Sequence, residues 1–317
     1  MKEKLVENFR SNGKLLLTGE YLVLDGAIAL AVPTRFGQKM AVTTSMNTDT
    51  VSRLEWESYD EKGNLWFKAA FSIPGFDIIA SSGGAESVVE TLRNLFLQIK
   101  QQSPGFLMQP VSVHIKTELE FARNWGLGSS STLIANLALW SKTDPYQLLF
   151  STFGGSGYDI ACALHNQPIL YRNRLNEIWT QPVEFQPPFA DQLYFVYSGK
   201  KQNSREAINY YRDNESDKYS LIKEFNNITI AVSKTQSLRN FEGLLDYHEA
   251  LLSALLHFKT AKTLYFPDYW GSIKSLGAWG GDFVLATSSK SKNETYSYFK
   301  SKGYEIIIPY AEMVLGG

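Results

Sequence analysis

The sequence predicts an α+β fold, and three observations carry that prediction. Strand-like and helix-like segments are mixed without the strict alternation of a doubly wound parallel sheet. Apolar residues make up 44% and charged residues 20% of the 317-residue chain, a balance that builds a folded core. Glycine-rich turns run straight into apolar helical stretches at 126–132 and again at 154–161.

Taken in order, 14–18 and 21–24 read as strands joined through Gly19-Glu20. Asp25-Gly26 then separates the second from a strand at 27–32, a two-residue hairpin signal. Further β-structure is expected at 40–44 and 65–69. Val88, Leu92, Leu95 and Ile99 mark an amphipathic helix that Ser103-Pro104-Gly105 ends. Val111, Val113 and Ile115 alternate as a half-buried strand, and the helix after the first glycine turn stops at Asp144-Pro145. A short helix from 158 precedes a strand at 169–171. Residues 173–190 are richer in polar residues and proline, so a domain boundary falls there, giving domains 1–180 and 181–317. Beyond it come a strand at 193–197 and a helix lined by Leu221, Phe225, Ile228 and Val232. Another helix is lined by Leu244, His248, Leu251 and Leu255, and strands follow at 283–286 and 305–308.

Composition narrows the partners. A formal net charge of −1 excludes the strongly basic balance of a nucleic-acid or membrane-surface binder. The single cysteine, Cys162, excludes an internal disulfide and sits among Ile160, Ala161, Ala163 and Leu164, as a buried thiol does. The histidines at 114, 165, 248 and 257 lack metal-ligand spacing, and no stretch approaches the ~20 apolar residues of a membrane span. The N-terminus has no apolar core of a signal peptide. The expectation is a cytoplasmic protein, monomer or homodimer, acting on a small molecule.

Gly126-Leu127-Gly128-Ser129-Ser130-Ser131 has the layout of an anion site. The glycines permit dihedrals that turn successive N–H groups inward, and a helix N-terminus with its dipole follows. The hydroxyl run can also cap that helix. Taken alone, the same residues equally describe an ordinary loop before a core helix. They also imitate a dinucleotide-binding fingerprint, with Asp144 downstream, but Ala122-Arg123-Asn124-Trp125 is not the apolar strand that must feed such a turn.

Two more glycine-rich segments flank this one in order: Gly13-Lys14-Leu15-Leu16-Leu17-Thr18-Gly19-Glu20-Tyr21, and Gly277-Ala278-Trp279-Gly280-Gly281-Asp282. The three together resemble the GHMP kinase superfamily, the group of galactokinase, homoserine kinase, mevalonate kinase and phosphomevalonate kinase. Gly19-Glu20-Tyr21 and the Gly280-Gly281-Asp282 ending resemble phosphomevalonate kinase in particular. The fold this implies is a ribosomal-S5-domain-2-like N-terminal domain, with a left-handed β-α-β unit, and a ferredoxin-like C-terminal domain.

The resemblance also implies roles. Residues 126–131 cradle the phosphates of ATP, and Ser130 supplies a hydroxyl ligand to Mg²⁺, a hard cation that prefers oxygen. Asp159, in Gly155-Ser156-Gly157-Tyr158-Asp159, takes the acceptor's proton, while Lys14 keeps it ionised and stabilises charge on the reacting oxygens. Without the resemblance Asp159 reads as a helix cap and Lys14 as an edge charge. Glu20, Tyr21, Ser156, Gly157, Gly277, Gly280 and Gly281 fall on the acceptor side. So do Ser204 and Arg205, in a loop whose cations Lys200, Lys201 and Arg205 suit a phosphorylated acceptor. Two departures stand out. Trp279 replaces a glycine of the pattern, and 145–158 holds no acidic residue where mevalonate kinases offer a glutamate, leaving Asp144 as the nearest carboxylate. A different acceptor, such as a sugar or homoserine, and a catalytically silent nucleotide binder are the alternatives. The decarboxylase branch lacks support, because its usual N-terminal segment is absent.

Overall fold

The computed structural model describes residues 4–46, 52–109, 111–175, 177–199, 209, 211–213, 218–277 and 281–316. These form two compact units drawn from alternating stretches of chain. The first comprises 1–13, 36–123 and 128–164; the second comprises 14–35, 124–127 and 165–317. Strands β1 (Lys4–Thr18) and β2 (Ala29–Met46) pass through both.

In the first unit β2 pairs antiparallel with β6 (Val111–Leu119), placing Val42 opposite Ile115. Strand β6 runs parallel to β3 (Arg53–Tyr59), which continues antiparallel through β4 (Leu65–Ser72) to β5 (Ile78–Ser82). Alternation decides which side is buried: Val111, Val113 and Ile115 are at most 5% exposed, whereas the residues between them are half-buried. Helix α1 (Glu86–Gln102) lays Val89, Leu92, Leu95, Phe96 and Ile99 on that core. Phe96 is its centre, stacked on Phe76 at 5.1 Å and meeting Trp56 and Phe71 edge-on. The same core takes Ile134 and Leu137 of α2 (Ser129–Ser141), Leu148 and Leu149 of α3 (Pro145–Thr152), and Ile160 of α4 (Tyr158–Leu164).

Neutral polar contacts fix α2 to the strands. Ser11 donates to Asn136 Oδ1 at 2.8 Å, Asn136 Nδ2 donates to the Gln38 carbonyl at 2.9 Å, and Thr132 donates to Gln38 Oε1 at 2.8 Å. All four residues are buried.

The second unit holds a four-stranded antiparallel sheet in the order β10-β11-β9-β12, from Ile273–Leu276, Phe283–Thr287, Leu193–Tyr197 and Ile307–Pro309. Between β9 and β10 lie α5 (Lys218–Lys234), α6 (Leu238–Leu256) and α7 (Ala261–Tyr265); α8 (Lys292–Ser301) separates β11 from β12. This is the β-α-β-β-α-β succession with the outer strands second and last, the ferredoxin-like arrangement the resemblance implies. In the same unit the start of β2 pairs with β7 (Ile169–Arg174), which pairs with β8 (Glu177–Pro182).

One expected element is different. Residues 22–25 are a 3-10 helix rather than a strand, so Asp25-Gly26 is not a hairpin turn. Gly19 at φ 92° and Tyr21 at φ 62° turn the chain out of β1 before a second strand can begin, and Gly26 closes the helix in the left-handed region. A Cβ on Gly19 would lie 2.8 Å from Ala29 Cα, so no other residue fits that turn.

Candidate functional site

Segment 124–127 is anchored within the second unit. The Trp125 indole meets Phe283 edge-on at 5.7 Å and Tyr197 at 6.3 Å, while the Tyr197 hydroxyl donates to the Asn124 carbonyl at 3.1 Å. Lys14 N–H donates to the Leu127 carbonyl at 3.0 Å, joining the first glycine segment to the second. Gly126 lies at φ 66°, and a Cβ there would overlap the Asp282 carboxylate. Its missing side chain makes room for Asp282.

Within the first unit, Gly128 at φ 90° is the N-cap of α2 and offers no side chain to the helix amides. The hydroxyl run does not cap them. Ser131 donates back to the Gly128 carbonyl at 2.8 Å, and Thr132 donates to the Ser129 carbonyl at 3.0 Å and to Gln38. Among the described residues the first amides of the helix therefore have no side-chain cap, and their partial positive charge favours an anion. Ser130 is exposed, Ser129 half-buried and Ser131 buried.

The second glycine turn opens α4 in the same unit. Gly154, Gly155 and Gly157 take φ of 71°, 102° and 89°, and Ser156 is 8% exposed. Asp159 stands half-buried in the first turn of α4, where its carboxylate accepts the Ile160 N–H at 3.0 Å. Asp144 is the N-cap of α3, accepting from Tyr146 at 2.8 Å and Gln147 at 3.3 Å. Helix α2 itself ends earlier, at Ser141, with Lys142 in the left-handed region.

In the second unit Lys14 is half-buried on β1. Glu20, 2% exposed, meets Lys274 Nζ at 2.5 Å and lies 3.2 Å from His248 Nε2. Burial raises the Glu20 carboxyl against the opposing pull of Lys274. Tyr21, 7% exposed, packs on Tyr211 with ring centroids 5.5 Å apart, and Tyr211 donates to Asp25 at 2.5 Å. Within the third glycine segment Gly277 and Gly281 take φ of 77° and 38°. Trp279, Gly280, Lys200, Lys201, Ser204 and Arg205 lie outside the described residues. Sequence reasoning missed Lys274 and Glu249, and took His248 only as a core residue of its helix. A lysine inside the apolar strand Ile273-Lys274-Ser275-Leu276, just ahead of the third glycine segment, was the available signal. Among the described residues no group of three or more His, Cys, Asp and Glu side chains has a metal-holding arrangement. Nor is any helix there long and apolar enough to cross a membrane.

Solved structures share this architecture over nearly the whole chain. Mevalonate kinase from Methanococcus jannaschii superposes with a TM-score of 0.69 at 15% identity, covering 96% of this chain and 97% of its own. Phosphomevalonate kinase from Streptococcus pneumoniae, in complex with phosphomevalonate and AMPPNP, gives 0.67 at 15%, covering 95% and 98%. Galactokinase from Lactococcus lactis, complexed with galactose, gives 0.67 at 17%, covering 98% and 94%. No family profile and no curated protein matches the sequence. The fold is that of the GHMP kinases. Among these neighbours, those acting on mevalonate, phosphomevalonate and galactose are equally similar to this chain, so the fold leaves the acceptor open.

Proposed function

We propose that the chain is an ATP-dependent small-molecule kinase whose acceptor is phosphomevalonate or mevalonate. The observation that carries the reading is the start of α2: amides without a side-chain cap among the described residues, behind glycines at φ 66° and 90°. That is an anion cradle, and it coincides with the central motif of the resemblance. The exposed Ser130 hydroxyl fits a Mg²⁺ ligand, and the ion would neutralise phosphate charge. Asp159 receives the acceptor hydroxyl's proton and Lys14 stabilises negative charge on the reacting oxygens, roles that come from the resemblance.

The choice of a mevalonate-pathway acceptor rests on Gly19-Glu20-Tyr21, on the Gly280-Gly281-Asp282 ending, and on the cations Lys200, Lys201 and Arg205. Trp279 and the lack of an acid in 145–158 favour a second reading, a nucleotide binder without turnover. ADP release decides between them, measured with ATP, Mg²⁺ and a panel of mevalonate, phosphomevalonate, galactose and homoserine. Turnover on phosphomevalonate or mevalonate is expected, with Asp159→Asn slowing it at least ~10²-fold while ATP still binds. ATP binding without ADP release from any acceptor would leave the second reading standing.

A further inference from the structure

Four ionisable side chains meet in the second unit almost out of reach of water: Glu20 (2% exposed), His248 (0%), Glu249 (2%) and Lys274 (0%). They come from the turn after β1, from α6 and from β10. Lys274 Nζ lies 2.5 Å from Glu20 Oε1 and 3.7 Å from Glu249 Oε1, and donates to the Ser275 carbonyl at 2.9 Å. Two carboxylates thus face one ammonium, an excess of negative charge that a dry interior penalises heavily.

His248 does not supply the missing positive charge. Its Nε2 accepts the Gly19 N–H at 3.1 Å, which makes the ring a neutral imidazole, and burial together with Lys274 holds it well below the usual histidine range. That same Nε2 lies 3.2 Å from Glu20 Oε2. Two lone pairs at that distance repel unless a proton lies between them. Among the described residues neither buried Glu249 oxygen makes a hydrogen bond of ordinary geometry, and Ser275 is the one group that lowers its carboxyl by hydrogen bonding. Burial pushes its carboxyl up to about 7, with Lys274 pulling it down and Glu20 pushing it further up. Among the described residues Glu20, Lys274 and Ser275 are the groups that act on Glu249 from the turn and the strand. One extra proton answers the charge imbalance on either carboxyl, and on Glu20 it removes the repulsion as well.

What the cluster holds is the turn. Tyr21 at φ 62° is a left-handed non-glycine residue, a conformation that persists only where its surroundings over-determine it. His248 takes the N–H of Gly19 and Lys274 takes the carboxyl of Glu20, so the two residues before Tyr21 are both fixed. Lys274 also lies three residues before Gly277, at the entry to the third glycine segment.

We propose that this cluster holds one proton shared between the Glu20 and Glu249 carboxyls at neutral pH, beside a neutral His248, and that Lys274 acts through Glu20 as a positioning residue for the acceptor side of the site. The proton belongs to the group and not to one residue. Only the reference to the acceptor rests on the kinase reading; the proton and the turn do not.

Infrared difference spectra of the whole chain test the proton. A protonated-carboxyl band at neutral pH, lost in Glu249→Gln or Glu20→Gln, is the expected result; its absence from the unmutated chain overturns the proposal. Lys274→Met leaves two buried carboxylates without a cation and risks unfolding, so the neutral pair Glu20→Gln/Lys274→Met and Lys274→Arg are measured beside it. Amide exchange reads the turn directly. In the folded neutral pair the Val23 and Leu24 amides, bonded to Gly19 and Tyr21, should exchange about tenfold faster or more, with β11 unchanged and Lys274→Arg restoring protection. Unchanged exchange at those amides overturns the positioning role whether or not the chain turns over ATP. With turnover established, the acceptor KM should rise about tenfold and the ATP KM less than about threefold. Equal rises for both substrates would place Lys274 outside acceptor positioning, and no ADP from any acceptor would count against the kinase reading alone.

Discussion

Two buried polar groups do comparable jobs in the two units by opposite means. Under α2, Ser11, Gln38, Thr132 and Asn136 are neutral, and each hydrogen bond among them has a definite donor and acceptor. Around Lys274 the groups are ionisable, and among the described residues Glu20 Oε2 and His248 Nδ1 are buried without a hydrogen-bond partner. A neutral network depends only on shape. A charged one depends also on how many protons it holds, which ties the 19–21 turn to pH while the start of α2 is free of it.

The largest expected break in that comparison is Lys274→Met. Leaving Glu20 and Glu249 buried without a counter-charge should lower unfolding free energy by about 3–5 kcal/mol in denaturant titrations. A loss under about 1 kcal/mol would mean that water reaches the cluster. The pH dependence comes next. Glu249 is raised from 4.5 to about 7 on folding, so the folded chain binds the extra proton more tightly than the unfolded chain. Stability is then fully present below 4.5 and is lost as pH rises through about 7. The slope is at most about 1.4 kcal/mol per pH unit for one proton. Glu249→Gln should flatten it, and an unchanged slope in that variant would assign the proton elsewhere. The smallest effect is Asn136→Ala, which strands Ser11 Oγ and the Gln38 carbonyl for about 1–3 kcal/mol. That loss should be the same at every pH from 5 to 8; a pH-dependent loss would erase the contrast between the two networks.

Much of this architecture can be read from residue spacing. Val111, Val113 and Ile115 declare β6 by alternation, and Leu92, Leu95 and Ile99 declare the buried face of α1, because both patterns follow from backbone geometry alone. On α6 the buried stripe is Phe241, Leu245, His248, Leu252 and Leu255, offset from the expected Leu244 and Leu251. The true stripe is decided by what the helix packs on, which no local pattern contains. Residues 21–24 misled for a related reason. An apolar run before Asp-Gly has the composition of a hairpin, but the turn depends on Gly19 packing against Ala29. The glycine motifs were legible as anion-binding geometry, whereas Lys274 was not, since its partner Glu20 is 254 residues away.

That separation has a consequence for how the chain is made. Glu20 leaves the ribosome long before Lys274 exists, by roughly 13–50 s at ~5–20 residues per second. Until then the Glu20 carboxylate lacks the Lys274 ammonium, and of the two side chains that hold the turn only His248 has been made. Growing chains and products truncated before β10 therefore carry this turn without the cation its buried carboxylate meets, although Leu22 can already pack with Phe225 of α5 and Leu252 of α6. Synthesis of the last residues, not the first, completes the oldest part of the molecule.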